Sequence, residues 1–242
     1  MFPFLRYKNP ILNYHRVGSV EGDPSMTVSE QAFERQMRFL ASTDQSIGLG
    51  ELVELLRSGI RPLPRKIAVT FDDGYLDNST KAFPLLKTHR IAATIFLVTE
   101  WIGKKKECLS WEAVREMSQE GVTFGSHTQS HPDLSKITSG ALLEKEIRGS
   151  KEILEDRLGK PVTLFSYPFG AFNDGVKRMA EEAGYEAAVT SNRALDGRTD
   201  DLYALSRIKM TEASTSPFIF RVKTSGYYEQ FKRKKRASSC RL

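Results

Sequence analysis

The 242-residue sequence predicts an α/β fold built on a parallel sheet, and three observations carry that prediction. Short, near-continuous apolar runs rich in Val, Ile and Phe recur along it, as strands buried on both faces require. Amphipathic stretches bounded by helix-start and helix-stop residues separate those runs. The two kinds of segment alternate along the whole chain, the pattern of successive βαβ units. About seven such units would close an α/β barrel, and an open doubly wound sheet has the same signature.

The strand candidates are Ile11–Tyr14, Lys66–Phe71, Ala92–Val98, Val122–Ser126, Thr163–Tyr167, Glu186–Thr190 and Tyr203–Met210. The stretch "SEQAFERQMRFLAS" opens on Ser29 as a helix N-cap and repeats Phe33, Met37 and Leu40 at helical spacing. "SWEAVREMSQEG" starts at Ser110 and stops at Gly121. "SGALLEKEIRGSKEILEDRLGKP" sets Leu142, Leu143, Ile147, Ile153, Leu154 and Leu158 on one helical period, then ends at Gly159 and Pro161. "NDGVKRMAEEAGY" closes at Gly184.

A hydrophobic content of 40% with 27% charged residues fits a soluble globular chain, and the length suits one sizeable α/β domain over residues 1–231. Lys232, Arg233, Lys234, Lys235, Arg236 and Arg241 equal the whole net charge of +6, which leaves residues 1–231 formally neutral. Residues 232–242 therefore read as a basic, disordered tail, with attraction to an anionic membrane surface as the functional alternative. A nucleic-acid partner is disfavoured, because the body of the chain has no positive excess. The two cysteines, Cys108 and Cys240, are too few for a disulfide framework. The N-terminal apolar run stops at Leu5, before Arg6 and Lys8, and no stretch reaches membrane-spanning length. The expected location is cytoplasmic, with peripheral attachment to a membrane as a variant.

In parallel α/β folds, functional groups collect at the carboxyl ends of strands. Here "KIAVTF" ends in Asp72, Asp73 and Gly74, "VTFGS" in His127 and then His131, "TLFSY" in Pro168, Phe169 and Gly170, and "ILNY" in His15. Adjacent carboxylates at a buried strand end need compensation, and a divalent cation is one form of it. Two imidazoles and a carboxylate form a ligand set used for catalytic metals, which leaves the second aspartate free to take a proton. Taken singly, a DDG triplet is a turn and an H-x3-H pair is two surface histidines; joint placement at separate strand ends favours the metal site.

The segments "VTFDDGYLDN" (69–78), "GSHTQSHPDLS" (125–135) and "FSYPFGAFND" (165–174) resemble, in order and spacing, three motifs of the polysaccharide deacetylases, the NodB-homology family of carbohydrate esterases. The resemblance implies a distorted (β/α) barrel of seven or eight strands that removes acetyl groups from amino-sugar glycans with a divalent metal, commonly zinc. Carried over position by position, it makes Asp72 the general base and Asp73, His127 and His131 the metal ligands. The backbone N–H of Phe169 would hold the oxyanion. Tyr75, Tyr167 and Pro168 would line the sugar groove, with core or loop packing as the alternative for the tyrosines.

Two positions depart from the family pattern. Ser166 stands where the third motif has an arginine, and no histidine follows His131 to supply the usual general acid. His15 ends the first strand, which in a closed barrel neighbours the last, and so is expected to act as the acid. This arrangement is similar to the circularly permuted poly-N-acetylglucosamine deacetylases. Arg207, in the last predicted strand, is expected to replace the missing arginine by holding Asp72, with a surface ion pair as the alternative. The expected activity is metal-dependent hydrolysis of an N-acyl group on an amino sugar; a non-catalytic carbohydrate-binding relative is the competing reading.

Overall fold

The computed structural model describes residues 8–19, 23–59, 65–191 and 201–228. Among these the strands are β1 (Ile11–Tyr14), β2 (Arg16–Val17), β3 (Thr27–Val28), β4 (Ser46–Ile47), β5 (Ile67–Phe71), β6 (Ala93–Leu97), β7 (Thr123–Ser126), β8 (Leu164–Ser166), β9 (Ala187–Thr190), β10 (Leu205–Ser206) and β11 (Ile208–Lys209). The helices are α1 (Glu30–Ser42), α2 (Leu49–Arg57), α3 (Phe83–His89), α4 (Trp111–Gln119), α5 (Gly140–Glu144), α6 (Ser150–Leu158), α7 (Asp174–Glu182) and α8 (Pro217–Thr224). The basic tail and Cys240 lie outside the described residues, and Cys108 is a free, buried thiol. No helix among the described residues is long and apolar enough to cross a membrane.

The central sheet runs β9-β8-β7-β6-β5-β1, with every pairing parallel. One segment joins its two edges. Leu205 and Ser206 pair with Val189 and Thr190 of β9, while Ile208 and Lys209 pair with Leu12 and Asn13 of β1. The sheet thus curls into a nearly closed barrel, the first of the two architectures that the alternation allowed. The predicted strand Tyr203–Met210 is consequently two short strands serving opposite edges, with Arg207 at the seam between them.

Period-two alternation divides the core. Ile11, Ala68, Phe96, Leu164, Val189 and Leu205 cluster together inside the barrel with Leu49, Leu52 and Val53 of α2. Leu12, Val69, Ile95, Phe124 and Phe165 belong to a second cluster, shared with the outer helices. Gly125 exists for this interior: a Cβ there would meet the Phe96 ring at 2.5 Å and the Leu164 carbonyl oxygen at 2.8 Å. Further towards the carboxyl ends the inward positions become polar, and these are the residues that build the site.

Caps place several of the helices. Ser110 accepts a hydrogen bond from the Ala113 N–H at 3.2 Å, and Asn173 accepts from Val176 at 3.0 Å. Ser29 is extended at its N-cap position but makes no side-chain cap bond. The long stretch predicted from Ser139 to Pro161 is helical, but a π-helical turn at Lys145–Gly149 divides α5 from α6. Gly159, left-handed at φ 64°, ends it.

Candidate active site

Most of the functional side chains sit one or two residues beyond a strand that aims them, while His131 lies on the loop that follows β7. Asp72 and Asp73 follow β5, His127 follows β7, His15 follows β1, and Arg207 occupies the seam. Four of the six non-glycine residues with positive φ among those described belong to this rim: Asp73 (71°), Thr128 (72°), His131 (67°) and Phe169 (58°). A left-handed L-residue costs about 1–2 kcal/mol, so the surrounding structure spends stability to hold these conformations.

Asp73, His127 and His131 bring their ligand atoms within 4.8 Å of one another. The Asp73 Oδ1 lies 3.6 Å from His127 Nε2 and 3.5 Å from His131 Nε2. Those gaps are too long for hydrogen bonds, yet they match the spacing of about 3.4 Å between donors held tetrahedrally at about 2.1 Å. The Asp73 Oδ1 is buried with no hydrogen-bond partner. His127 donates from Nδ1 to the Ser166 carbonyl at 2.7 Å, a tautomer that turns the lone pair of Nε2 towards the site. Burial, then the charge of Asp72, pushes the Asp73 carboxyl up to about 7. Burial also pushes His131 down to about 4 and lowers His127, which keeps both imidazoles neutral as ligands must be. The donor set, its spacing and the orphaned oxygen fit one divalent cation.

Asp72 faces the other way and is clamped. Arg207 donates from Nη1 to Oδ1 at 2.7 Å and from Nη2 to Oδ2 at 2.6 Å. Ser166 Oγ donates to Oδ1 at 3.2 Å and Asn13 Nδ2 to Oδ2 at 3.1 Å. Burial would raise the Asp72 carboxyl, but the guanidinium overrides it and holds the group well below the usual carboxylate range. His15 Nε2 lies 3.9 Å from Asp72 Oδ2; burial takes its pKa down to about 4, against the pull of Asp72.

Two further carboxylates hold the loops: Glu146, which does not stand out in the sequence, and Asp77, which lies within the first motif. Glu146, 4% exposed on the π-helical turn, accepts from the Gln129 and Ser130 N–H groups at 2.9 Å each and from Ser130 Oγ at 2.6 Å. It ties down the loop between the two histidines. Asp77 accepts from the Val17 N–H at 3.0 Å, and Asn78 donates to the His15 carbonyl at 2.9 Å, so the "DDGYLDN" segment also fixes His15. Replacing Glu146 by Ala removes three hydrogen bonds to a carboxylate, and because Gln129 is only half-buried and Ser130 is exposed, water can reach their amides, so the cost is about 1–2 kcal/mol. The expected result is a melting temperature lower by about 2–8 °C, with metal affinity reduced about 10–100-fold. Unchanged affinity would show that the loop holds its shape without Glu146.

Comparison with known proteins assigns the family. The profile of the polysaccharide deacetylase family matches residues 60–188. YxkH of Bacillus subtilis, which carries the same family name, is 33% identical over 205 residues, covering 84% of this chain and 72% of the relative. This chain belongs to the polysaccharide deacetylase family. A poly-β-1,6-N-acetyl-D-glucosamine N-deacetylase of Staphylococcus aureus is 26% identical over 256 aligned positions, covering 93% of this chain and 87% of that one. Among solved structures, the Streptococcus pyogenes deacetylase PplD in complex with acetate superposes with a TM-score of 0.80 at 26% identity, over 89% of this chain and 97% of that one.

In this polysaccharide deacetylase the remaining predicted residues divide. Phe169 is 63% exposed, with its ring 4.7 Å from that of His131. Tyr75 is half-buried and hydrogen-bonds Asp73, with Arg16 4.5 Å above its ring. Tyr167 departs from the groove-lining expectation. It is fully buried, stacks on Phe172 at 4.5 Å and donates to the Tyr203 carbonyl at 3.0 Å, so its ring has no face open to a sugar. Pro168 is buried as well. Trp101, absent from the predicted set, stands 5.2 Å from the His131 ring, which thus contacts two aromatic rings, Trp101 and Phe169.

Proposed function

We propose that the chain hydrolyses the N-acetyl group of an amino sugar within a glycan, using a divalent cation for which zinc suits the donors best. The carrying observation is the pairing of a clamped, ionised carboxylate, Asp72, with a three-donor cation site that begins at the next residue. The acetate complex of PplD and the name of the Staphylococcus aureus relative support the acetyl group and the N-acetylglucosamine unit.

Asp73, His127 and His131 would hold the cation, which supplies Lewis acidity to the acyl carbonyl and to water. Asp72 takes the proton of the attacking water. The carboxylate accepts from four side-chain donors, so one of them yields, and the longest is the Ser166 hydroxyl at 3.2 Å. That hydroxyl also accepts from Arg207 Nη2 at 2.9 Å, a bond that survives rotation of its hydrogen. His15, neutral at rest, takes over the proton that Asp72 has drawn from water, its Nε2 being 3.9 Å from Asp72 Oδ2, and delivers it to the amine nitrogen as the acyl C–N bond breaks. The Phe169 N–H holds the oxyanion. The rings of Phe169 and Trp101, and that of Tyr75, offer faces to the sugar.

The test is amine release from N-acetylated oligosaccharides of β-1,4- and β-1,6-linked glucosamine, measured with metal content for wild type and Asp72→Asn. Wild type is expected to release amine, and Asp72→Asn to keep its metal while losing about 10²–10⁴-fold in turnover. Full metal loading with no amine from any acylated sugar would sink the reading.

A further inference from the structure

The hydrogen-bond network around Asp72 has a member that reaches solvent. Asp72, Asn13, Thr70, Ser166 and Arg207 are all buried, whereas Ser191, one residue past β9, is exposed. Ser191 lies outside the three sequence motifs and two residues beyond Val189, which fills the barrel interior. Residues two apart along extended chain share a face, so Ser191 stands at the mouth, above that interior.

Its hydroxyl has a fixed direction. Asn13 Nδ2 donates to Ser191 Oγ at 3.0 Å and Arg207 Nη2 donates to it at 3.3 Å. The guanidinium has no acceptor to offer. The Asn13 amide cannot be reversed either, because its oxygen would then face Asp72 Oδ2 at 3.1 Å, acceptor against acceptor. Both acceptor positions of the Ser191 oxygen are therefore taken, and its hydrogen points away from the network. Among the described residues no acceptor receives that hydrogen. The same two nitrogens donate to Asp72 Oδ2, at 3.1 and 2.6 Å. Ser191 Oγ and Asp72 Oδ2 are thus no farther apart than two hydrogen bonds laid end to end. This carboxylate oxygen is also the one that lies 3.9 Å from His15 Nε2.

We propose that Ser191 binds substrate, its hydroxyl donating to a ring hydroxyl of the acylated sugar, a role that rests on the deacetylase reading and names one contact within it. Asp73 and its imidazole partners take the acyl end of the substrate. Ser191 shares with His15 the Asp72 oxygen beside the leaving amine, which sets it against the ring that carries the amine. A hydroxyl that can only donate selects an oxygen acceptor, which a pyranose supplies and an ammonium does not. The donor is also preorganised. It is held by an amide and a guanidinium that are themselves locked on Asp72, so little freedom is lost when the sugar docks.

The experiment crosses a deletion in the protein with a deletion in the sugar. Wild type and Ser191→Ala are assayed on an N-acetylglucosamine disaccharide whose acylated, non-reducing unit keeps or lacks its 3-, 4- or 6-hydroxyl. On the parent sugar Ser191→Ala is expected to lower kcat/KM about 3–10-fold, through KM, with metal content unchanged. One deoxy analogue is expected to cost wild type about the same factor and to cost the variant nothing further. Ser191→Thr, which keeps the hydroxyl, is expected to recover most of the loss. A residue that only positioned Asp72 would lower kcat equally on every analogue and move the acid limb of the pH profile. That result overturns the proposal, as do independent losses on all three analogues. Absence of amine release by wild type sinks the deacetylase reading alone. The same cycle run on disaccharide affinity by calorimetry then decides the role of Ser191: coupling upholds it and additivity overturns it.

Discussion

Zinc titrated into the metal-free protein at neutral pH is expected to release protons, with an affinity that climbs as pH rises to about 7 and then levels. The group responsible is Asp73, whose carboxyl is pushed up to about 7 by burial and by Asp72. A cation binds the carboxylate, so below that pH a proton competes and each further unit costs about tenfold. The imidazoles do not set this limit, since His131 is pushed down to about 4 and His127 is lowered too. Calorimetry in two buffers of different ionisation enthalpy counts the protons; an affinity that stays flat across the acid limb defeats the assignment. His127→Ala or His131→Ala should abolish both metal content and turnover. Stability follows with a definite sign. The folded pKa of Asp73 lies above its unfolded value of about 3.9, so the native state keeps its proton longer. Through this group, metal-free protein loses stability as pH rises from about 4 to about 7, and metal restores it. Asp72 has the opposite sign, because its folded pKa is depressed: its contribution is present above about 4 and lost as pH falls.

Arg207→Ala is expected to lower turnover by about 10²–10⁴-fold while the metal stays bound. None of the cation donors touches the guanidinium, whereas Asp72 loses both of its shortest bonds. The stranded carboxylate, 2% exposed, then rises towards the range of a buried acid and is protonated when it should accept a proton. Breaking a buried pair costs about 3–5 kcal/mol, which lowers the melting temperature by roughly 6–20 °C. Arg207→Lys should not rescue turnover, because one ammonium cannot span both oxygens. Loss of metal in Arg207→Ala, or unchanged turnover, would remove the clamp from the mechanism.

The strand ends were legible because a buried parallel strand announces itself as an apolar run and its chemistry follows immediately. That reasoning located Asp72, Asp73, His127, His131 and His15 at one rim, whereas Arg207 came only from the arginine that the family resemblance leaves missing. Closure of the barrel was not legible: two-residue pairings such as Leu205–Ser206 carry no periodicity, so their different partners stay hidden. Asn13, Glu146 and Asn78 look like ordinary polar residues until their long-range partners are known. Tyr167 illustrates a reading that alternation itself corrects. Ser166 points inward to Asp72, so Tyr167, still extended just past the end of the strand, points outward, where Phe165 also faces.

The seam has a consequence in time as well as space. Arg207 arrives late in synthesis, and pairing Ile208 with Leu12 closes a loop of roughly two hundred residues, a slow event in folding. A nascent chain that stops short of the seam already contains both aspartates and both histidines, but nothing neutralises Asp72. With Asp72 as the base, as proposed above, turnover is expected only from chains in which the last strand has docked.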